Sequence, residues 1–156
     1  MANRIHMTNA DQLDLNKSYY GNKQRNLSKP NGLWYSWNNE WLDWCTSEMP
    51  DWKKPWLFYL YPILDDVLII SNTSELIQFQ KDYAYKNYDV SAFMIKWKLV
   101  AKDYKGIEIR NYHSLKWNDY TQSRFMEYIW LAGWDVSGGC IWDLSIIKKV
   151  RRYKNA

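Results

Sequence analysis

The chain has little of what most active sites are built from. Two histidines, His6 and His113, and two cysteines, Cys45 and Cys140, are all it offers. Neither cysteine belongs to a CxxC or Cys/His pattern, so a multi-histidine or thiolate metal centre is excluded, and no carboxylate spacing suggests another metal site. Walker, GxGxxG, HExxH and GxSxG signatures are absent, which removes the motif-based routes to P-loop, dinucleotide-fold, zinc-protease and serine-hydrolase chemistry. No apolar run approaches the roughly 18 to 20 residues of a membrane span. The opening Met1-Ala2-Asn3-Arg4-Ile5-His6 also lacks the apolar stretch of a signal peptide. The expectation is a cytoplasmic protein with two buried thiols rather than a disulfide. With no repeat, low-complexity tract or break in composition, the 156 residues read as one domain.

Aromatic residues are abundant: 11 Trp and 13 Tyr make much of the apolar content. Each buried indole or phenol needs a hydrogen-bond partner, a requirement met most easily along a groove where ring edges reach water or a ligand. The net charge of +4 is unevenly placed. Lys148, Lys149, Arg151, Arg152 and Lys154 crowd the end, and without them the chain is close to neutral. The sequence therefore predicts a nearly neutral body with a basic tail over 148–156, either a solvated face or a contact for phosphate.

Local patterns predict a mixed α/β chain. Arg4 to Thr8 reads as a strand, the polar stretch from Asn9 to Lys29 as a long loop with one helical turn, and Leu33 to Ser36 as a second strand. Trp37, Trp41, Trp44 and Cys45 have helical spacing over Trp37 to Glu48, with Ser36 as N-cap. Trp56 to Tyr61 and Asp66 to Ile70 read as a strand pair across Pro62 to Asp65. Asn72-Thr73-Ser74-Glu75 is a capping signal for a helix over Thr73 to Tyr85. Ile107-Glu108-Ile109 forms a strand whose Glu108 opposes its isoleucines, a short helix runs from Thr121 to Leu131, and Cys140 to Leu144 closes as a strand.

Polar residues beside aromatics at strand ends are the candidates for chemistry: His6 and Thr8, then Trp34, Tyr35 and Ser36, then Glu108, then Asp135, Ser137 and Cys140. They could line one crevice, its rings stacking on a nucleobase or nicotinamide. Each also has a structural alternative: a hydrogen-bonded histidine, packed rings, a solvent-facing Glu108, a turn at Ser137-Gly138-Gly139.

In chain order, these pieces resemble the ADP-ribosyltransferase superfamily. More narrowly they are similar to small bacterial and phage proteins with Lys-Pro-x-Gly-Leu-Trp-x-Ser near the front and Ser-Gly-Cys-Ile-Trp near the end. The matching segments are Lys29 to Ser36 and Ser137 to Trp142, the latter with one extra glycine. The resemblance implies an α+β fold of two small, mainly antiparallel sheets framing a cleft with a few short helices. It also implies NAD as substrate and transfer of ADP-ribose to a macromolecular acceptor, protein or nucleic acid. It places His6 and Thr8 on the NAD ribose and Trp34 or Tyr35 on nicotinamide, with Ser36, Ser137 and Cys140 beside them. Where that family carries a glutamate, at the last core strand, this chain has Ser137 to Cys140. Glu108 and Asp135 are the carboxylates left for the role. Cleaving the nicotinamide bond builds positive charge on the ribose, which a fixed carboxylate stabilises. A chain without one would instead be a non-catalytic module binding a nucleotide, nucleic acid or host protein, such as a phage-type inhibitor or sponge.

Overall fold

Cross-strand register joins seven of the nine described strands into a single sheet. The computed structural model describes residues 2–16 and 20–154. In chain order its elements are β1 (Arg4–Thr8), β2 (Leu33–Trp37), α1 (Glu40–Glu48), β3 (Trp56–Pro62), β4 (Val67–Ile70), α2 (Thr73–Tyr83), β5 (Ala84–Asn87) and β6 (Ala92–Ile95). Then come α3 (Trp97–Asp103), β7 (Gly106–Ile109), α4 (Tyr112–Trp117), α5 (Asp119–Ser123), α6 (Ile129–Ala132), β8 (Gly138–Ile141) and β9 (Ile147–Lys154). The large sheet has seven strands in the order β4-β7-β8-β2-β1-β3-β9, and β5-β6 is a separate ribbon. Only β4 and β7 pair in parallel, and the long crossover such a pair needs is supplied by α2, the ribbon and α3. The fold class is thus α+β, but one broad mixed sheet and a ribbon replace the two small sheets expected.

Each face of the sheet has its own core. On one, Ile70, Ile107, Ile109 and Cys140 pack under Leu76 and Phe79 of α2, Trp97 and Val100 of α3, Leu115 of α4 and Trp130 of α6. This is the helix face. On the far face, Leu33, Tyr35, Phe58, Leu60 and Ile141 pack against Leu144, Ile146 and Ile147, with Leu13 and Leu15 over them. Trp97, Trp130 and Trp142 are fully buried, and each indole N–H finds an acceptor. Trp97 donates to the Leu27 carbonyl at 3.1 Å, Trp130 to Gln80 Oε1 at 2.8 Å and Trp142 to the Tyr104 carbonyl at 2.7 Å. The rings thereby fix loops as well as filling volume.

Helix α2 matches its capping signal, the Asn72 side chain accepting from the Glu75 N–H at 2.9 Å, although the chain passes into β5 after Tyr83. The stretch before β2 is anchored by buried Gln24, which donates to the Asn31 carbonyl at 2.6 Å and accepts from the Asn31 N–H at 2.8 Å.

Several expected elements shift. Trp37 ends β2, where it pairs with Arg4, and left-handed Asn38 turns the chain before α1. Asn39, rather than Ser36, precedes α1 as its cap residue. β3 and β4 are not neighbours, because β3 is held between β1 and β9. The expected helix over Thr121 to Leu131 is two short ones, α5 and α6, and the turn between them lets buried Tyr128 fold back against Tyr120 at 5.9 Å. The last core strand begins earlier, at Gly138, and a 3-10 turn over Leu144–Ile146 replaces its end. The basic run is no appendage: Ile147 to Lys154 form β9, paired with β3 along its length.

Strand β8 exists because its glycines leave room. Gly139 sits between Tyr35 and Glu108 in the register, and the Tyr35 ring lies across it. A Cβ on Gly139 would stand 2.6 Å from Tyr35 Cζ and 2.5 Å from the Ile107 carbonyl. Gly138 is equally closed, against the Tyr35 backbone. Neither neighbour can yield without moving the sheet. Gly139→Ala is therefore expected to cost more than about 2 kcal/mol, read as a lowered urea midpoint at unchanged m-value.

Candidate binding site

Where β1 and β2 part, a cavity opens on the helix face. Their backbone pairing ends at Ile5 and Ser36, and His6 takes over, its Nδ1 lying 2.6 Å from the Trp34 carbonyl. Because a carbonyl can only accept, Nδ1 carries the proton, and a neutral His6 then has Nε2 as an acceptor. Burial lowers the His6 pKa, against the opposing pull of that hydrogen bond, so the ring is neutral at pH 7.

The cavity has a volume of about 330 Å³. Its floor is formed by Ile5, Met7, Trp34 and Ser36, and its walls include Trp41, Trp52, Trp134, Val136 and Lys29. Trp134 meets Trp34 edge-on at 4.8 Å, while Lys29 Nζ lies 5.7 Å from the Trp34 ring centre. Trp41 stacks on Trp44 at 4.8 Å and 7°, with Trp52 completing the group. Lys29 is the one Lys or Arg among the lining residues. Trp134 is buried, and its Nε1 has no hydrogen-bond partner, unlike the three core indoles described above.

Of the residues singled out from sequence, His6, Trp34, Tyr35 and Ser36 border this cavity. Ser36 Oγ is already engaged, donating to the Asn38 carbonyl at 3.4 Å and accepting from the Trp41 N–H at 3.3 Å. Thr8 stands apart and accepts from the Ala10 N–H at 3.2 Å. Ser137 is buried and bonded on three sides: its N–H donates to Glu40 at 2.9 Å, its hydroxyl accepts from the Tyr112 N–H at 3.0 Å and its carbonyl accepts from the Trp37 N–H at 2.9 Å. Cys140 lies in the helix-face core with its thiol pKa pushed well up by burial. Cys45 and Cys140 are both free thiols. Asp135 adopts a left-handed φ of 65° between Trp134 and Val136. Burial raises its carboxyl pKa, and Lys29 partly offsets the rise.

Glu108 is fully buried, so it is no solvent-facing strand residue. Ile107 and Ile109 take the helix face, as the alternation predicts, but the side opposite is the second core rather than the cavity. There the carboxylate accepts from Arg4 Nε at 2.6 Å, Arg4 Nη2 at 3.2 Å, the Tyr35 hydroxyl at 2.7 Å and Arg110 Nε at 2.7 Å. Burial alone would raise the Glu108 pKa, yet the hydrogen bonds from Arg4 and Tyr35 and the two cationic partners bring it below the usual range. The Tyr35 phenol is pushed well up by burial and by the Glu108 charge, and stays protonated as donor. Sequence reading missed Arg4 and Arg110 as partners, although an acid near the end of a strand and a base two residues on, just past that end, is a visible sign of a same-side pair. Trp41, Trp52, Trp134 and Lys29 were missed as wall residues, because they come from separate segments.

Among the described residues no group of three or more His, Cys, Asp and Glu side chains could hold a metal ion, and no helix is long and apolar enough to cross a membrane. No family model, curated protein or solved structure matches the chain.

The Glu108 cluster makes stability depend on pH with a definite sign. Its pKa is lower in the folded chain than in the unfolded one, so its contribution is full above the ordinary carboxylate range and is lost as pH falls through the lower, folded value. Thermal unfolding should show a midpoint that falls steeply below about pH 4.5. Glu108→Gln, which removes a fully buried charge and leaves two half-buried arginines without it, should cost about 3 to 5 kcal/mol at pH 7 and flatten that acid limb. Tyr35→Phe removes one donor to the charge and should cost about 1.5 to 3 kcal/mol while keeping the acid limb.

Proposed function

We propose that the chain is a non-catalytic binding module for a nucleotide-class ligand, taken as a flat heteroaromatic ring into the tryptophan-walled cavity. The observation that carries this reading is the separation of rings and carboxylate. Trp34, Trp41, Trp52 and Trp134 surround the cavity, whereas Glu108 sits on the opposite face with its oxygens taken up by Arg4, Tyr35 and Arg110. Indole faces stack on heteroaromatic rings, worth about 1 to 3 kcal/mol per base. Lys29 supplies one positive charge at the wall, suited to a phosphate. A cavity of about 330 Å³ lies near the low end of the roughly 300 to 1,000 Å³ typical of ligand sites. It suits one ring with its sugar better than a whole enclosed dinucleotide.

One feature favours a second reading, an NAD-using ADP-ribosyltransferase that modifies a macromolecular acceptor. Asp135 stands between two wall residues in a left-handed conformation, with its carboxyl near Lys29. In that reading NAD places nicotinamide on Trp34, and Asp135 rather than Glu108 faces the positive charge that develops on the ribose.

Titration of the tryptophan emission with AMP, nicotinamide mononucleotide and NAD, alongside an assay for nicotinamide released from NAD, separates the two. The binding-module reading expects saturable quenching without release. Lys29→Ala should weaken the phosphate-bearing ligands about fivefold, the equivalent of roughly 1 kcal/mol, and leave free nicotinamide unaffected. Release that is lost in Asp135→Asn would overturn the non-catalytic reading in favour of NAD cleavage, with transfer read as ADP-ribose attached to an acceptor rather than freed by water. Absence of quenching by any of the three at millimolar concentration would exclude both.

A further inference from the structure

We propose that the helix-face surface of β3 and β9 is a second binding surface, for single-stranded nucleic acid, independent of the cavity. The register puts Leu57, Tyr59 and Tyr61 of β3 on the same side as Tyr153, Arg151 and Lys149 of β9. That side continues from Ile5 and Met7, which floor the cavity. Toward the middle of the sheet this face is covered by α1 and the turn after it. Over β3 and β9 most of the side chains instead reach solvent: Leu57 is buried, but Tyr61, Lys149 and Arg151 are exposed, and Tyr59 and Tyr153 are half-buried.

Rings and cations interleave on this surface. Tyr59 and Tyr153 lie 4.5 Å apart across the strands, the Arg151 guanidinium stands 5.3 Å from the Tyr153 ring, and Lys149 Nζ stands 5.5 Å from the Tyr61 ring. Strands β1, β3 and β9 contain no acidic residue at all, so nothing on them neutralises the charge. The other side of β9 differs. There Arg152 lies 4.7 Å from the Trp56 ring and donates to the Asp11 carbonyl at 2.6 Å, tying down the segment that covers the far-face core. The same basic run thus divides by strand alternation into a structural side and a free side.

Two properties point to single strands. Flat rings set among cations on an open sheet offer bases a stacking surface and phosphates a counter-charge, and a duplex hides its base faces. The lysine and arginine along β9 also disfavour its use as an edge for adding another protein strand.

The test is fluorescence anisotropy with a labelled twelve-residue oligothymidylate and a duplex of equal length, between about 50 and 200 mM NaCl. The expected result is binding of the single strand in preference to the duplex, with affinity falling as salt rises. Lys149→Ala and Arg151→Ala should each lower the slope of log affinity against log salt by about 0.7. Lys154→Ala makes the same charge change on the opposite side of β9 and should leave the slope unchanged. Tyr61→Ala and Tyr153→Leu should weaken binding at least about fivefold with the slope kept. Tyr61 is exposed, so its variant does not depend on packing; melting curves identify any variant that has lost its fold. Saturating AMP should not displace the oligonucleotide, which separates this surface from the cavity. No binding at the lowest salt, a duplex bound as tightly as the single strand, an equal loss in Lys154→Ala, or displacement by AMP would each overturn the proposal.

Discussion

A buried carboxylate ties the central strands of the sheet together. Glu108 belongs to β7, Tyr35 to β2 and Arg4 to β1, and β8 runs between the first two. The Tyr35 hydroxyl can reach Glu108 only by crossing β8, and it can cross only where the intervening residue is Gly139. One charge therefore explains a glycine, a buried tyrosine and two arginines. Taking such a charge out of water costs several kcal/mol, and only near-complete coordination offsets that cost. The four hydrogen bonds supply it, which is why losing the acid is more damaging than losing any single donor.

This arrangement also bears on function. A carboxylate held by two guanidinium groups and a phenol has its lone pairs engaged and its position fixed on the face away from the cavity. It is well placed to lock β1 and β2 in register up to Ile5 and Ser36, just before the strands diverge. The cavity forms at that divergence, with His6 bridging the gap. The structural role of Glu108 and the opening of the cavity are thus parts of one feature: the ion cluster holds the strand ends together and the histidine lets them separate.

Aromatic residues fill three distinct places. Trp97, Trp130 and Trp142 are wholly buried with their N–H groups satisfied by loops and α2, so their work is packing and anchoring. Trp34, Trp41, Trp52 and Trp134 gather around open space, and the Trp134 N–H has no partner. On β3 and β9 the tyrosines lie among cations rather than in a core. A single compositional excess is divided in this way among core, cavity and surface.

Much of the local structure is written in short-range pattern. Alternation places β1, β2 and β7, the Asn72–Glu75 cap starts α2, and the isoleucines beside Glu108 mark its side of the strand correctly. His6, Trp34 and Ser36 were recognisable as cavity residues because they sit on the two strands that form its floor. What lay beyond Glu108 was not recognisable: alternation says which way a side chain points, not whether water, a ligand or a second core lies there. Nor could sequence show that the basic run pairs with β3, because a strand with one face solvated and charges along its edge has the composition of a tail. The walls of the cavity come from segments as distant as Lys29, Trp52 and Trp134. Sequence fixes the chemistry each segment can bring, whereas only the long-range pairing of strands decides which segments meet, because that pairing depends on contacts between residues far apart in the chain.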